Sequence, residues 1–165
     1  MSLVLGMERD AELPTIVRDE LDQIIAAIQT QFNKLGAVVD VPTDAAAFSG
    51  SGAMTWTVEA RDQAVSYAIV NNMMLLNVRI DNSSVGGTPT QFLRMRLPAG
   101  FIVARSASGP CLLYDNAATA VLGQMRALVG STLVEFIRFD GGVFTASTNN
   151  TSVVGQLQIP VLVTV

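Results

Sequence analysis

The side chains able to do chemistry are few, and two arginines stand out among them. Arg94 and Arg96 are separated by one residue in the run Phe92-Leu93-Arg94-Met95-Arg96-Leu97. In an extended strand, residues two apart share a face. The spacing therefore sets two guanidinium forks side by side, an arrangement suited to bidentate recognition of a carboxylate or an acidic sugar. The same pattern fits a solvated face whose acids lie opposite on a neighbouring strand. Arg79 and Arg138 stand in other alternating segments and suit either arrangement.

Groups for catalysis are scarcer. The chain has no histidine, which removes the commonest general base and the commonest metal ligand. Its one cysteine, Cys111, precedes Leu112-Leu113-Tyr114 and reads as a small buried hydrophobe. No Gly-x-Ser-x-Gly elbow, metal-ligand spacing or phosphate loop occurs, and Gly86-Gly87-Thr88-Pro89 lacks the lysine that a phosphate loop needs. Glycoside cleavage would call for two carboxyls roughly 5–10 Å apart, with Glu59 and Glu135 the pair to supply them. A polysaccharide-degrading enzyme is thus the less favoured alternative. The expectation is a protein that is not an enzyme, with no cofactor, no metal and no catalytic residue.

The chain of 165 residues is half hydrophobic and only 15% charged, with a net charge of −4. So low a charge implies apolar surface covered by another subunit. The acidic balance offers no field for nucleic acid. No apolar run approaches the ~20 residues of a membrane-spanning helix, so membrane insertion is not expected. The opening Met1-Ser2-Leu3-Val4-Leu5 lacks the basic region of a signal peptide, and assembly in a reducing cell interior is the expectation.

Two regions with different periods must position these groups. Residues 1–40 contain a helical pattern from Leu13 to Leu35, with Pro14 suited to its first turn and Gly36 to its stop. Leu21, Ile25, Ile28, Phe32 and Leu35 are spaced 4, 3, 4 and 3, an a/d seam that Val17 and Ile24 widen. Such a seam suits either packing on the chain's own domain or a short stalk that joins copies of the chain. Its isoleucines favour trimers or higher states. Residues 41–52, with Pro42 and Ser49-Gly50-Ser51-Gly52, read as a linker, and Ala45–Ala47 as a brief turn.

From residue 53 to 165 the period falls to two. Nine or ten strands are expected, including 54–60, 65–70, 73–80, 92–97 and the long final run "VVGQLQIPVLVTV". Asn71-Asn72 and Asp140-Gly141-Gly142 read as hairpin turns, the second leading into a strand "VFTAS". Residues 82–90 and "TNNTS" read as loops. Leu93, Met95 and Leu97 are assigned to the core, with Arg94 and Arg96 outward. Residues 121–129 fit a helix or a strand, and Gly123 with the flanking valines favours a strand. This spacing of short strands and turns predicts a mainly β protein, an antiparallel β-sandwich or jelly roll preceded by an N-terminal α-helix.

The segments "GGTPTQFLRMRLPAGF", "PCLLYDN", "MTWTV" and "GGVFTASTNNTSVVGQLQIPVLV" resemble the C-terminal head regions of bacteriophage and prophage tail or fibre proteins over roughly residues 53–165. The resemblance implies a homotrimeric β head, similar to the jelly roll of the C1q and tumour-necrosis-factor proteins, displayed on a helical stalk. It implies a place in a virion, with host-surface glycan or other virion proteins as partners, and no catalytic residues. A capsid-decoration or connector protein that contacts only other virion subunits is the alternative.

Overall fold

The computed structural model describes residues 15–34 and 36–163, and the chain divides into two units between Leu35 and Gly36. The described residues of the first unit form one helix, α1, Thr15–Lys34, about 30 Å long at 1.5 Å per residue. The expected start at Leu13 and Pro14 lies outside the described residues. Position 35, the last of the predicted seam, lies outside the described residues, as does the side chain of Phe32.

The second unit is built from strands: β1 Val39–Asp40, β2 Phe48–Gly50, β3 Met54–Thr57, β4 Gln63–Val70, β5 Met73–Gly87 and β6 Leu93–Arg96. They are followed by β7 Phe101–Val103, β8 Ala107–Tyr114, β9 Val121–Ala127, β10 Leu133–Arg138 and β11 Ser147–Val163. Every pairing is antiparallel. Nine strands run in the order β1-β4-β5-β11-β8-β9-β10-β6-β2, with β3 added to β5 and β7 to β11.

The connectivity forces this sheet to curl. Nine strands laid flat would put the edges about 38 Å apart at ~4.8 Å per strand. Yet the edge strands are neighbours in sequence, and the segment from Asp40 to Phe48 spans at most about 28 Å when extended. A 3-10 turn at Ala45–Ala47 shortens it further, capped by Asp44 Oδ1, which accepts from Ala46 N–H. The fold is therefore the mainly β, antiparallel sandwich or jelly-roll class that the strand spacing predicts, with one N-terminal helix.

Alternation fills the inside of the curl. Met74, Leu76, Ile80, Leu93, Met95, Leu113, Met125, Phe136 and Ile159 are buried from six different strands. Trp56 forms edge-to-face contacts with Phe48 and Phe136, at centroid distances of 5.2 and 5.6 Å. The assignment of Leu93, Met95 and Leu97 inward holds, since each is at most 3% exposed. Residues 121–127 are a strand, as Gly123 and the valines suggest.

Three stretches differ from the sequence reading. Within 41–52, expected as a linker, β2 pairs with β6 and Phe48 enters the core, because one large apolar side chain gains more from burial than the glycines lose in entropy. Residues 82–87, expected as a loop, continue β5. Here Ser83 is buried and bridges two strands: Trp56 Nε1–H donates to its hydroxyl at 2.8 Å, and the hydroxyl donates to Thr151 O at 2.6 Å. The "TNNTS" segment likewise belongs to β11, where register shifts between Ser147 and Val153, and left-handed Asn149, absorb the irregularity. Conversely, 143–146 is not a strand, although Phe144 is buried and its N–H donates to Thr90 O. The Asn71-Asn72 turn is as expected, with both residues at positive φ.

Candidate functional site

On α1 the described part of the predicted seam is largely open. Leu21 is 39% and Ile28 is 47% exposed, Ile24 beside them is 55% exposed, and Ile25 is half-buried. Apolar side chains at this spacing along about two turns make a stripe that water covers poorly.

The arginine pair lies on the outward face of the sheet, where strand register sorts the side chains into rows. The first row runs across β6, β10 and β9: Arg94 faces Glu135, and Glu135 faces Arg126. Glu135 Oε1 accepts from Arg94 Nε at 3.0 Å and lies 2.9 Å from Arg94 Nη2. Glu135 Oε2 accepts from Arg126 Nη2 at 2.6 Å and Nε at 3.2 Å. Both guanidinium groups also approach the Phe92 ring, at 6.0 Å for Arg94 and 5.4 Å for Arg126. Burial by itself raises the Glu135 pKa, but the hydrogen bonds and charges of Arg126 and Arg94 outweigh it, and the net shift is down.

The structure thus separates the two predicted ligand contacts. Arg94 is the cation of a cross-strand pair, the solvated-face arrangement. Arg96 is exposed beyond the row, opposite Leu133. It lines a cavity of about 270 Å³ whose walls include Phe48, Val65, Met95 and Leu97. The donors of Arg126 have no counterpart in the sequence reading. Only the strand register brings that residue, nine positions before Glu135 in the chain, onto the same carboxylate as Arg94.

Both carboxylates considered for glycoside cleavage are ion-paired. Glu59 is bound to Arg61 at 2.9 Å, and Glu135 to its own two arginines. A glycosidic acid needs a raised pKa, the opposite of what these arginines impose on Glu135. Cys111 is buried as expected, and desolvation pushes its thiol up to about 12. Among the described residues no group of His, Cys, Asp and Glu is placed to hold a metal ion, and no helix is long and apolar enough to cross a membrane.

Two rows along the same face the chemistry changes. Pro110, Gln124 and Ile137 form a mixed row across β8, β9 and β10. Beyond it Val154 faces Leu112, and Leu112 faces Leu122. Phe139 N–H donates to Leu122 O, so Phe139 extends this row. The four side chains are 38%, 42%, 60% and 59% exposed. On the opposite face, Arg138, the last residue of β10 and paired with Gly123, donates through Nη1 to Asp115 Oδ2 and through Nη2 to Asp140 Oδ2, both at 2.6 Å. The Arg138 hydrogen bond and the Gly142 N–H hold the Asp140 carboxyl down at about 2.

No protein-family model, no curated protein and no solved structure matches the chain.

Proposed function

We propose that this protein is a non-enzymatic structural or receptor-binding component of a virion, a homotrimer whose β head is joined to a short helical stalk. The observation that carries the reading is the open seam of α1: Leu21, Ile24 and Ile28 present apolar surface that a second and third copy would cover. The all-β fold of the second unit and the resemblance of residues 53–165 to phage tail and fibre heads support it. A head of this kind would engage host-surface glycan or neighbouring virion proteins.

The engagement of Arg94 by Glu135 favours a second reading within the same class. With one of the two candidate arginines occupied, a capsid-decoration or connector protein that meets only other virion subunits becomes the stronger rival. Light scattering on the purified chain should give three times the chain mass, and a monomer at micromolar concentration overturns the trimer. Replacing Ile25 and Ile28 by aspartate should lower the trimeric fraction, because each would bury a carboxylate on the seam. Glycan arrays and whole-cell binding then separate the readings: binding lost in Arg96→Ala supports recognition, and no binding by a trimeric protein supports the connector.

A further inference from the structure

We infer that the cavity between β4 and β6 binds a small organic acid, an aliphatic or aromatic monocarboxylate whose apolar body enters the cavity and whose carboxylate meets Arg96 and Gln63. Only the second unit is needed for this, so neither the trimer nor the virion role enters.

The cavity forms where the curl closes. The segment that joins β1 to β2 crosses from β4 to β6 and is fastened at both ends: Val41 N–H donates to Val65 O at 2.8 Å, and Phe48 pairs with Met95. β4 and β6 are not paired with each other. About 270 Å³ lies among Phe48, Val65, Met95 and Leu97, each at most 7% exposed. Interiors ordinarily hold few voids larger than a water molecule. An apolar cavity of about 150 Å³ already accepts benzene, so this one has room for a ring or a chain of about six carbons together with a carboxylate.

The unmatched polar groups are both donors. Pairing of β2 with β6 stops at Phe48 and Met95, so Arg96, the last residue of β6, has an uncovered edge beside it and lines the cavity from the solvent side. Among the described residues its guanidinium has no ion pair and no hydrogen-bond partner. Gln63 lines the cavity from the first position of β4, and among the described residues its buried Nε2 has no hydrogen-bond partner. A buried donor left unmatched costs stability that an incoming acceptor offsets. The last torsion of a glutamine is soft enough to turn the amide toward one. A carboxylate only accepts, and it takes the guanidinium fork bidentately. A neutral alcohol or amide would bring a donor of its own, and inorganic phosphate would leave the apolar walls uncovered. Asp44 is the one acid in the lining, and its Oδ1 already accepts from Ala46 N–H at 2.9 Å. Its charge opposes an anion, which makes it the internal rival for Arg96.

The test titrates the isotope-labelled full chain with hexanoate and, separately, with hexanamide, followed by amide NMR shifts. Hexanoate should move the backbone amides of Ala47, Val65 and Met95 and the side-chain amide of Gln63, and hexanamide should bind at least about tenfold more weakly. Arg96→Met, which keeps an apolar stem, should weaken hexanoate by a similar factor and leave hexanamide unchanged. Asp44→Asn should tighten hexanoate. Gln63→Met should weaken hexanoate without lowering the melting temperature of the free chain, because it removes an unmatched donor. Equal affinity for hexanoate and hexanamide, shifts confined to the outward face, or hexanoate binding that survives Arg96→Met would each overturn the site. A chain that is trimeric and binds cells, yet shows no shift at millimolar hexanoate, overturns this inference alone. A monomeric chain that binds hexanoate as described overturns the trimer and leaves the site standing.

Discussion

Glu135 and Arg126 face each other across β9 and β10, joined by a contact of 2.6 Å between Oε2 and Nη2. Arg94 binds the other carboxylate oxygen from β6, so three strands are tied through one side chain that is itself 12% exposed. Neither arginine is indispensable while the other remains. Each is also about one-third exposed, which weakens its individual contribution.

The arrangement predicts non-additive losses. Arg94→Ala and Arg126→Ala should each cost about 1 kcal/mol in urea denaturation. The double variant should cost about 3–5 kcal/mol, because it leaves a buried carboxylate without a cation. Simple addition of the two single losses would show that solvent, not the second arginine, compensates for each deletion.

Acid should weaken the fold through the same group. The pKa of Glu135 is lower in the folded chain than in the unfolded one, so the unfolded state takes up the proton first as pH falls. Its contribution is complete above the ordinary glutamate range, about pH 4.3, and is lost as pH drops through the folded pKa. Asp140, held at about 2, acts in the same direction over a lower interval. Urea midpoints of the wild type and Glu135→Gln, compared at fixed protein concentration from neutral pH downward, should differ most near pH 7 and converge below about pH 4. A gap that stays constant or widens in acid would contradict the ion-pair account.

How far the sequence reveals these features depends on their range. The inward set Leu93, Met95 and Leu97 is legible because alternation is a local property, and the Asn71-Asn72 turn because two asparagines tolerate positive φ. Ser83 and Thr151 are not legible. Both are polar; the Ser83 hydroxyl is buried between Trp56 Nε1–H and Thr151 O, 27 and 68 positions away, and the Thr151 hydroxyl pairs with that of Ser147. Arg94 and Arg96 can be placed on one face from spacing alone. Which of them is occupied depends on the β6–β10–β9 register, a long-range property that strand spacing does not encode. The apolar row has the same origin, since Leu112, Leu122, Phe139 and Val154 are ordinary strand residues until four strands align them.

Gly123 tests the packing at the centre of that alignment. A Cβ there would meet Leu113 Cδ1 closely and would lie 2.7 Å from Ile137 O, which is backbone and cannot swing away. Gly123→Ala should therefore cost about 1–3 kcal/mol through overpacking, even though alanine suits a strand better than glycine on backbone entropy. Gly141 supplies the contrast. Nothing lies within 4 Å of its added Cβ, but its φ is +68°, so Gly141→Ala should lose about 1 kcal/mol through backbone strain alone. Relieving the clash should distinguish them. Trimming Leu113 to alanine costs about 2–5 kcal/mol by itself, but combined with Gly123→Ala the loss should be smaller than the sum, whereas with Gly141→Ala it should be additive. Additive losses for both pairs in thermal or urea unfolding would show that Leu113 does not set the requirement for glycine at position 123.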